Sequence, residues 1–147
     1  MSVQHWLCGV LWLGATAAAG AAEFRSVAEN AAVLYDAPSA RSKKLYVIGR
    51  DYPVEVVVVV EGWTKIRDAG GELTWIESKN LSERRTVMVK ARLADVRVAA
   101  ADNAALAFQA EQNVLLNVIE LTATGWVRIA HRDGQSGYIK SSQVWGL

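Results

Sequence analysis

The chain has 147 residues, of which 16 are basic and 15 acidic, giving a formal net charge of +1. Neither half is a polycation, which argues against a nucleic-acid partner. Its single cysteine, Cys8, excludes a disulfide framework, and its two histidines, His5 and His131, are too few for a zinc cage.

Every charged residue lies beyond Ala22. Before it, Trp6, Leu7, Val10, Leu11, Trp12 and Leu13 form a short apolar core, and residues 14–22 are Gly and Ala with one Thr. An apolar core followed by small residues is the pattern of a secretory signal. Cleavage after Ala22 places Gly20 and Ala22 at the two small-residue positions, and cleavage after Ala21 is the other register. The expected mature chain begins at Glu23, contains no cysteine and is periplasmic or secreted. Only the α-amino group and His5 supply positive charge at the start, and an uncharged stretch of this length almost spans a bilayer. An uncleaved anchor is therefore the alternative, and the one case in which a membrane is a partner.

Beyond Glu23 the sequence matches itself at an offset of 63 residues without a gap. Gly62 and Trp63 fall on Gly125 and Trp126, Ile66 on Ile129, Gly71 on Gly134, Ile76 on Ile139 and Ser78 on Ser141. Conservative pairs fill the intervals: Val33 with Val96, Leu45 with Phe108, Val56 with Ile119, Val58 with Leu121, Trp75 with Tyr138. A self-match of this kind means two copies of one folding unit. The expected organisation is a signal at 1–22, a first domain at 23–82, a linker at 83–86 and a second domain at 87–147.

Each copy reads as β. Residues 54–60 are β-branched almost throughout, and residues 63–67 alternate apolar with polar, with Glu61 and Gly62 as the turn between. The second copy repeats this at 118–122 and 126–130. A Gly-bearing loop follows each pair, then a short strand at 73–76 and at 137–139. Residues 99–108 have helical propensity, but the matching stretch of the first copy contains Ala37, Pro38 and Ser39, which favour a loop. Several short strands within about 60 residues describe a small barrel or sandwich.

The order Gly-Trp-x-Lys/Arg-Ile, a Gly-containing loop, an aromatic-Ile pair and a terminal apolar residue resembles the second half of the bacterial SH3-like domain. The stretches beginning at Val33 and Val96 resemble its first half, although Ala101 stands where the first copy has Pro38. The resemblance covers residues 23–147 and implies an all-β fold of two tandem small SH3-like β-barrels. Such domains occur in exported bacterial proteins, commonly attached to cell-wall hydrolases, and are taken to bind peptides or peptidoglycan. The implied partner is a peptide, peptidoglycan or another envelope protein.

Catalysis needs converging groups. His131 is the only histidine past the signal, with Asp133 two residues away in a turn, and it reads as a solvated loop imidazole. Asp68, Asp133 and Gly134 are too sparse for a calcium loop, so no catalytic residue, metal or cofactor is expected. Aromatic residues are plentiful, and Tyr and Trp suit binding surfaces. Trp63 and Trp126 recur at equal positions, as half-buried barrel residues would. Tyr35 and Tyr52 align with Val98 and Leu115, so their aromatic character belongs to one copy alone. Aromatic side chains line the peptide groove of eukaryotic SH3 domains, and Tyr35 within Leu34-Tyr35-Asp36 resembles one such position. The candidate ligand-binding residues are Tyr35, Asp36, Tyr52, Trp63 and Trp126, and the expected function is a non-catalytic binding module.

In the second copy Ile119 and Leu121 alternate with Glu120 and Thr122, which makes Ile119 and Leu121 the inward pair. The 63-residue offset then makes Val56 and Val58 inward, leaving Val57 and Val59 as an apolar outer face. A strand apolar on both faces is normally covered on both. The expectation is that Val57 and Val59 pack against the second barrel or, failing that, against a partner protein or a second copy.

Overall fold

A computed structural model describes residues 20–147. The signal segment assigned to residues 1–22 lies outside the described residues except for Gly20, Ala21 and Ala22, which are exposed and outside any strand. No helix among the described residues is long and apolar enough to cross a membrane.

The fold is all-β. The first sheet contains β1 (Glu23–Val27), β2 (Ala32–Tyr35), β3 (Lys44–Ile48), β4 (Pro53–Val60), β5 (Trp63–Arg67), β6 (Leu73–Glu77) and β7 (Leu81–Ser82). The second contains β8 (Thr86–Val89), β9 (Leu93–Arg97), β10 (Leu106–Glu111), β11 (Leu115–Leu121), β12 (Trp126–Ala130), β13 (Ser136–Lys140) and β14 (Val144–Trp145). Strand order is β3-β2-β6-β5-β4-β1-β7 in one and β10-β9-β13-β12-β11-β8-β14 in the other, with antiparallel pairing throughout. These are the same order in equivalent strands. A single 3-10 turn precedes the last strand of each, at Ser78–Asn80 and Ser141–Gln143. Thr86 opens β8, so the connection between sheets is Glu83, Arg84 and Arg85 alone.

Alternation along the strands sends one side chain in two to a core. Val27, Ala32, Leu34, Val54, Ile66 and Ile76 form the first core. Val87, Val89, Val96, Leu116, Val127, Ile129 and Ile139 form most of the second. Full burial of an aliphatic side chain of this size contributes about 1.5–3 kcal/mol.

The gap-free offset of 63 is corrected by the ladders. Leu34 pairs with Tyr46, and Val96 pairs with Phe108 in the same rung of the second sheet. Ser26 faces Pro53 as Met88 faces Leu115. These pairs are 62 residues apart. From Trp63 and Trp126 onward the spacing is 63, since Lys65 faces Trp75 as Arg128 faces Tyr138. The extra residue lies in the hairpin turn, where Glu61 and Gly62 correspond to Ala123, Thr124 and Gly125. Both glycines adopt a left-handed φ, +77° for Gly62 and +79° for Gly125, a conformation a side chain would strain.

Val56 is therefore equivalent to Val118 and Val58 to Glu120. In both hairpins the ladder skips a residue, Val57 or Ile119, so alternation resets there. Ile119 and Leu121 are exposed rather than inward, and residues 57–60 are exposed as well. β1 reaches only as far as Val56, so the tip of β4 pairs with β5 alone. Val57 and Val59 are exposed rather than buried against the second repeat, with 38% and 66% of their surface open to solvent.

The repeats meet through other residues. Thr86, Val87, Met88 and Val89 are all buried: Val87 and Val89 in the second core, Thr86 and Met88 on the opposite face toward the first repeat. Thr86 Oγ1 donates to the Asp51 carbonyl at 2.7 Å and Ser26 Oγ donates to the Arg84 carbonyl at 2.7 Å. Phe24 of β1 packs edge-to-face on Trp145 of β14, with ring centroids 5.1 Å apart. The Arg85 guanidinium lies over Phe24 and donates to the Gly146 carbonyl at 3.0 Å. The principle that a strand apolar on both faces is covered on both holds, but the strand is β8.

Candidate functional site

Because β2 and β6 are neighbours, Tyr35 stands directly opposite Trp75, and Trp75 directly opposite Lys65 of β5. Directly opposed residues share a face. Leu34, one position before Tyr35, enters the core, so this row lies on the outer face of the first sheet. The next row brings Trp63, whose ring meets Tyr35 edge-to-face at 5.2 Å. That geometry matches the quadrupoles of the rings. Tyr35 is buried, while Trp63 and Trp75 stay half-buried and present part of their surface to solvent. The Lys65 ammonium lies 5.9 Å from the Trp75 ring centre, within cation–π range.

The loop after Tyr35 is tied closed. Asp36 donates its N–H to the Lys43 carbonyl at 3.1 Å, and its carboxylate accepts the Lys43 N–H at 3.0 Å. Ser42 Oγ donates to the Ala37 carbonyl at 3.0 Å. A charged, exposed Asp36 is thus held beside the aromatic cluster.

Of the five residues singled out in the sequence, Tyr35, Asp36 and Trp63 come together here. Tyr52 does not: it precedes β4 at the junction, where burial, with the nearby Asp68 carboxylate second, pushes its phenol pKa up. Trp126 lies in the second repeat, 8% exposed beneath the Lys140 ammonium at 5.7 Å. Lys140 in turn pairs with Asp102 at 2.6 Å and holds that carboxyl below its ordinary range. Sequence reasoning missed Trp75 and Lys65 as members of the cluster. Their signal was the pairing of Trp75 with Tyr138, which marked a repeated aromatic but not its neighbours.

The second repeat builds a different face on the same frame. Arg97 occupies the place of Tyr35, opposite Tyr138. It donates to the Ala104 carbonyl at 2.9 Å and pairs with Asp95 at 3.0 Å. Arg128 and Glu120 continue the row.

His131 Nδ1 is 3.0 Å from Asp133 Oδ1 in its own loop. The Gln135 backbone N–H, its side-chain amide and His131 together pull the Asp133 carboxyl from 3.8 to about 2. These bonds close a surface turn. No group of three or more His, Cys, Asp or Glu among the described residues is placed to hold a metal.

The family described as Bacterial SH3 domain matches this chain twice, over residues 28–83 and 90–146. No curated protein matches it. Among solved structures, NlpC1 from Trichomonas vaginalis is similar at 19% identity over 92% of this chain and 50% of its own, with a TM-score of 0.40. NlpC2 from the same organism is similar at 17% identity over 84% of this chain and 48% of its own, with a TM-score of 0.37. An NlpC/P60 family protein from Bacillus cereus has 15% identity over 83% of this chain and 55% of its own, with a TM-score of 0.35. The chain spans about half the length of these proteins.

Proposed function

The chain belongs to the bacterial SH3 domain family, and from that premise we propose that it is an exported, non-catalytic binding module of two small barrels. It acts in the periplasm or outside the cell and recognises a peptide or a peptidoglycan component. The reading rests above all on the outer face of the first repeat, where Tyr35, Trp63 and Trp75 cluster beside the tied loop carrying Asp36. Half-buried rings offer wide apolar contact at little cost in conformational entropy. Lys65 and Asp36 place opposite charges at the cluster, suited to the carboxylate and amine of a peptide. No cofactor enters this role.

A pull-down on purified peptidoglycan, run beside one from envelope extract, tests the reading. Retention on peptidoglycan that falls at least tenfold in Trp75→Ala and Lys65→Glu, with both variants folded by circular dichroism, is the expected result. Retention only from extract favours a second reading, a structural or regulatory protein that docks on another envelope protein. The exposed valines at 57–60 are the observation on its side.

A further inference from the structure

Two turns that the repeat makes equivalent come together at the junction. One leads into β4 and contains Asp51, and the other leads into β11 and contains Asn113. These are the only non-glycine residues with left-handed φ among the described residues, +68° and +71°. Each turn donates a backbone N–H to the end of its first strand, Asp51 to Val27 at 2.9 Å and Asn113 to Val89 at 2.8 Å.

A cavity of about 270 Å³ opens between Arg50 and Asp51 on one side and Asn113, Leu115, His131 and Arg132 on the other. A second, of about 580 Å³, is lined by Tyr52, Met88, Lys90 and Trp145 and shares Asn113 and Leu115 with the first. The two are therefore adjoining parts of one inter-repeat groove, of the size range that takes a short peptide. Neither repeat alone forms it.

Its end between Arg50 and Arg132 is basic. The acidic groups at its basic end are already engaged: Asp51 with Arg84 at 3.6 Å, Asp133 with His131 at 3.0 Å and with Gln135. Arg50 spends one N–H on Asn30 at 2.9 Å. Neither Arg50 nor Arg132 enters an ion pair among the described residues. Guanidinium groups at a cleft bind carboxylates through paired N–H donors. The adjoining part offers the rings of Tyr52 and Trp145 and the Met88 thioether, with Trp145 held edge-on by Phe24.

We infer that this groove is a second binding site, distinct from the aromatic face of the first repeat, and takes a short peptide with a free terminal carboxylate. The carboxylate sits between Arg50 and Arg132, and apolar side chains lie against Tyr52, Met88 and Trp145. The test uses the intact two-repeat protein and an N-acetylated alanine tetrapeptide with a free carboxylate. The controls are its C-terminal amide and a form whose last two residues have D configuration. Binding is followed by amide shifts in an NMR titration.

The expected result is that the acid moves the Asp51 and Asn113 signals, that the amide binds at least tenfold more weakly, and that Arg132→Glu weakens the acid by a similar factor. Arg128→Glu makes the same change in net charge away from the groove and leaves binding as it was. Preference for the D form assigns the source to wall stem peptides, and preference for the L form assigns it to protein C-termini. Equal binding of acid and amide, or no shift at Asp51 and Asn113, overturns the inference. Dependence of peptidoglycan retention on Trp75 is read separately, so the two sites stand or fall independently.

Discussion

In the first repeat the outer row across β3, β2, β6, β5 and β4 is Lys44, Tyr35, Trp75, Lys65 and Val58; in the second the equivalent row is Leu106, Arg97, Tyr138, Arg128 and Glu120. Both rows stand on the same strand order over cores of the same kind. One row gathers rings, with Tyr35 locked edge-on by Trp63, and the other gathers charges, with Arg97 tying down the loop that ends at Leu106. The frame is what duplication preserved, and the exposed face is where the copies diverged. Surface residues are free to change because they carry little of the stability.

The divergence also reaches buried positions, and the most constrained of them is in β13. Gly137 of β13 is equivalent to Thr74 of β6. A side chain at Gly137 would begin 2.6 Å from the Arg97 carbonyl and 2.7 Å from Val96 Cγ1. Gly137→Thr, which copies the first repeat into the second, is expected to cost about 3 kcal/mol through overpacking, read as a lower midpoint in urea unfolding. If it were neutral, the two cores would be interchangeable and the comparison would fail at its most constrained point.

Gly62→Val and Gly125→Val probe a feature the repeats share. Both positions have left-handed φ with open space around the missing Cβ, so backbone strain alone sets the cost, about 1–3 kcal/mol for each. Matching losses in thermal unfolding are expected although the second turn is one residue longer. The buried Thr74 hydroxyl has no hydrogen-bond partner among the described residues. Thr74→Val is expected to raise stability by about 1 kcal/mol in the same experiment, since it removes an unsatisfied polar group while keeping the shape. The smallest effect belongs to Val57→Lys with Val59→Glu. Both side chains are exposed, and the change is expected to stay within about 0.5 kcal/mol in the two-repeat protein.

The strands were legible in the sequence because β-branched runs, turn glycines and the duplicated Gly-Trp pair all point the same way. The register of β4 was not. Five consecutive valines at 56–60 carry no apolar–polar alternation, so a slip by one residue leaves the pattern unchanged. The inserted residue therefore went unseen in the longer turn, and with it the faces of Val57, Val59, Ile119 and Leu121. Tyr35 and Asp36 were singled out through Leu34-Tyr35-Asp36 and Trp63 through the Gly-Trp pair, alongside Tyr52 and Trp126, but not as neighbours of one another. Trp75 was not, because its place beside Tyr35 depends on the sixth strand lying next to the second, which no local pattern encodes. The junction escaped for a related reason. Thr86, Val87, Met88 and Val89 form too short a run to show that both of their faces are covered.

The aromatic face of the first repeat, and not its charged counterpart, is the face proposed to receive the ligand. The most direct measurement is an NMR titration with soluble peptidoglycan fragments that follows the tryptophan indole N–H signals. The Trp63 and Trp75 signals are expected to move together and saturate while Trp126 stays in place. Movement of Trp126 with Trp63 and Trp75 unchanged would contradict the proposal.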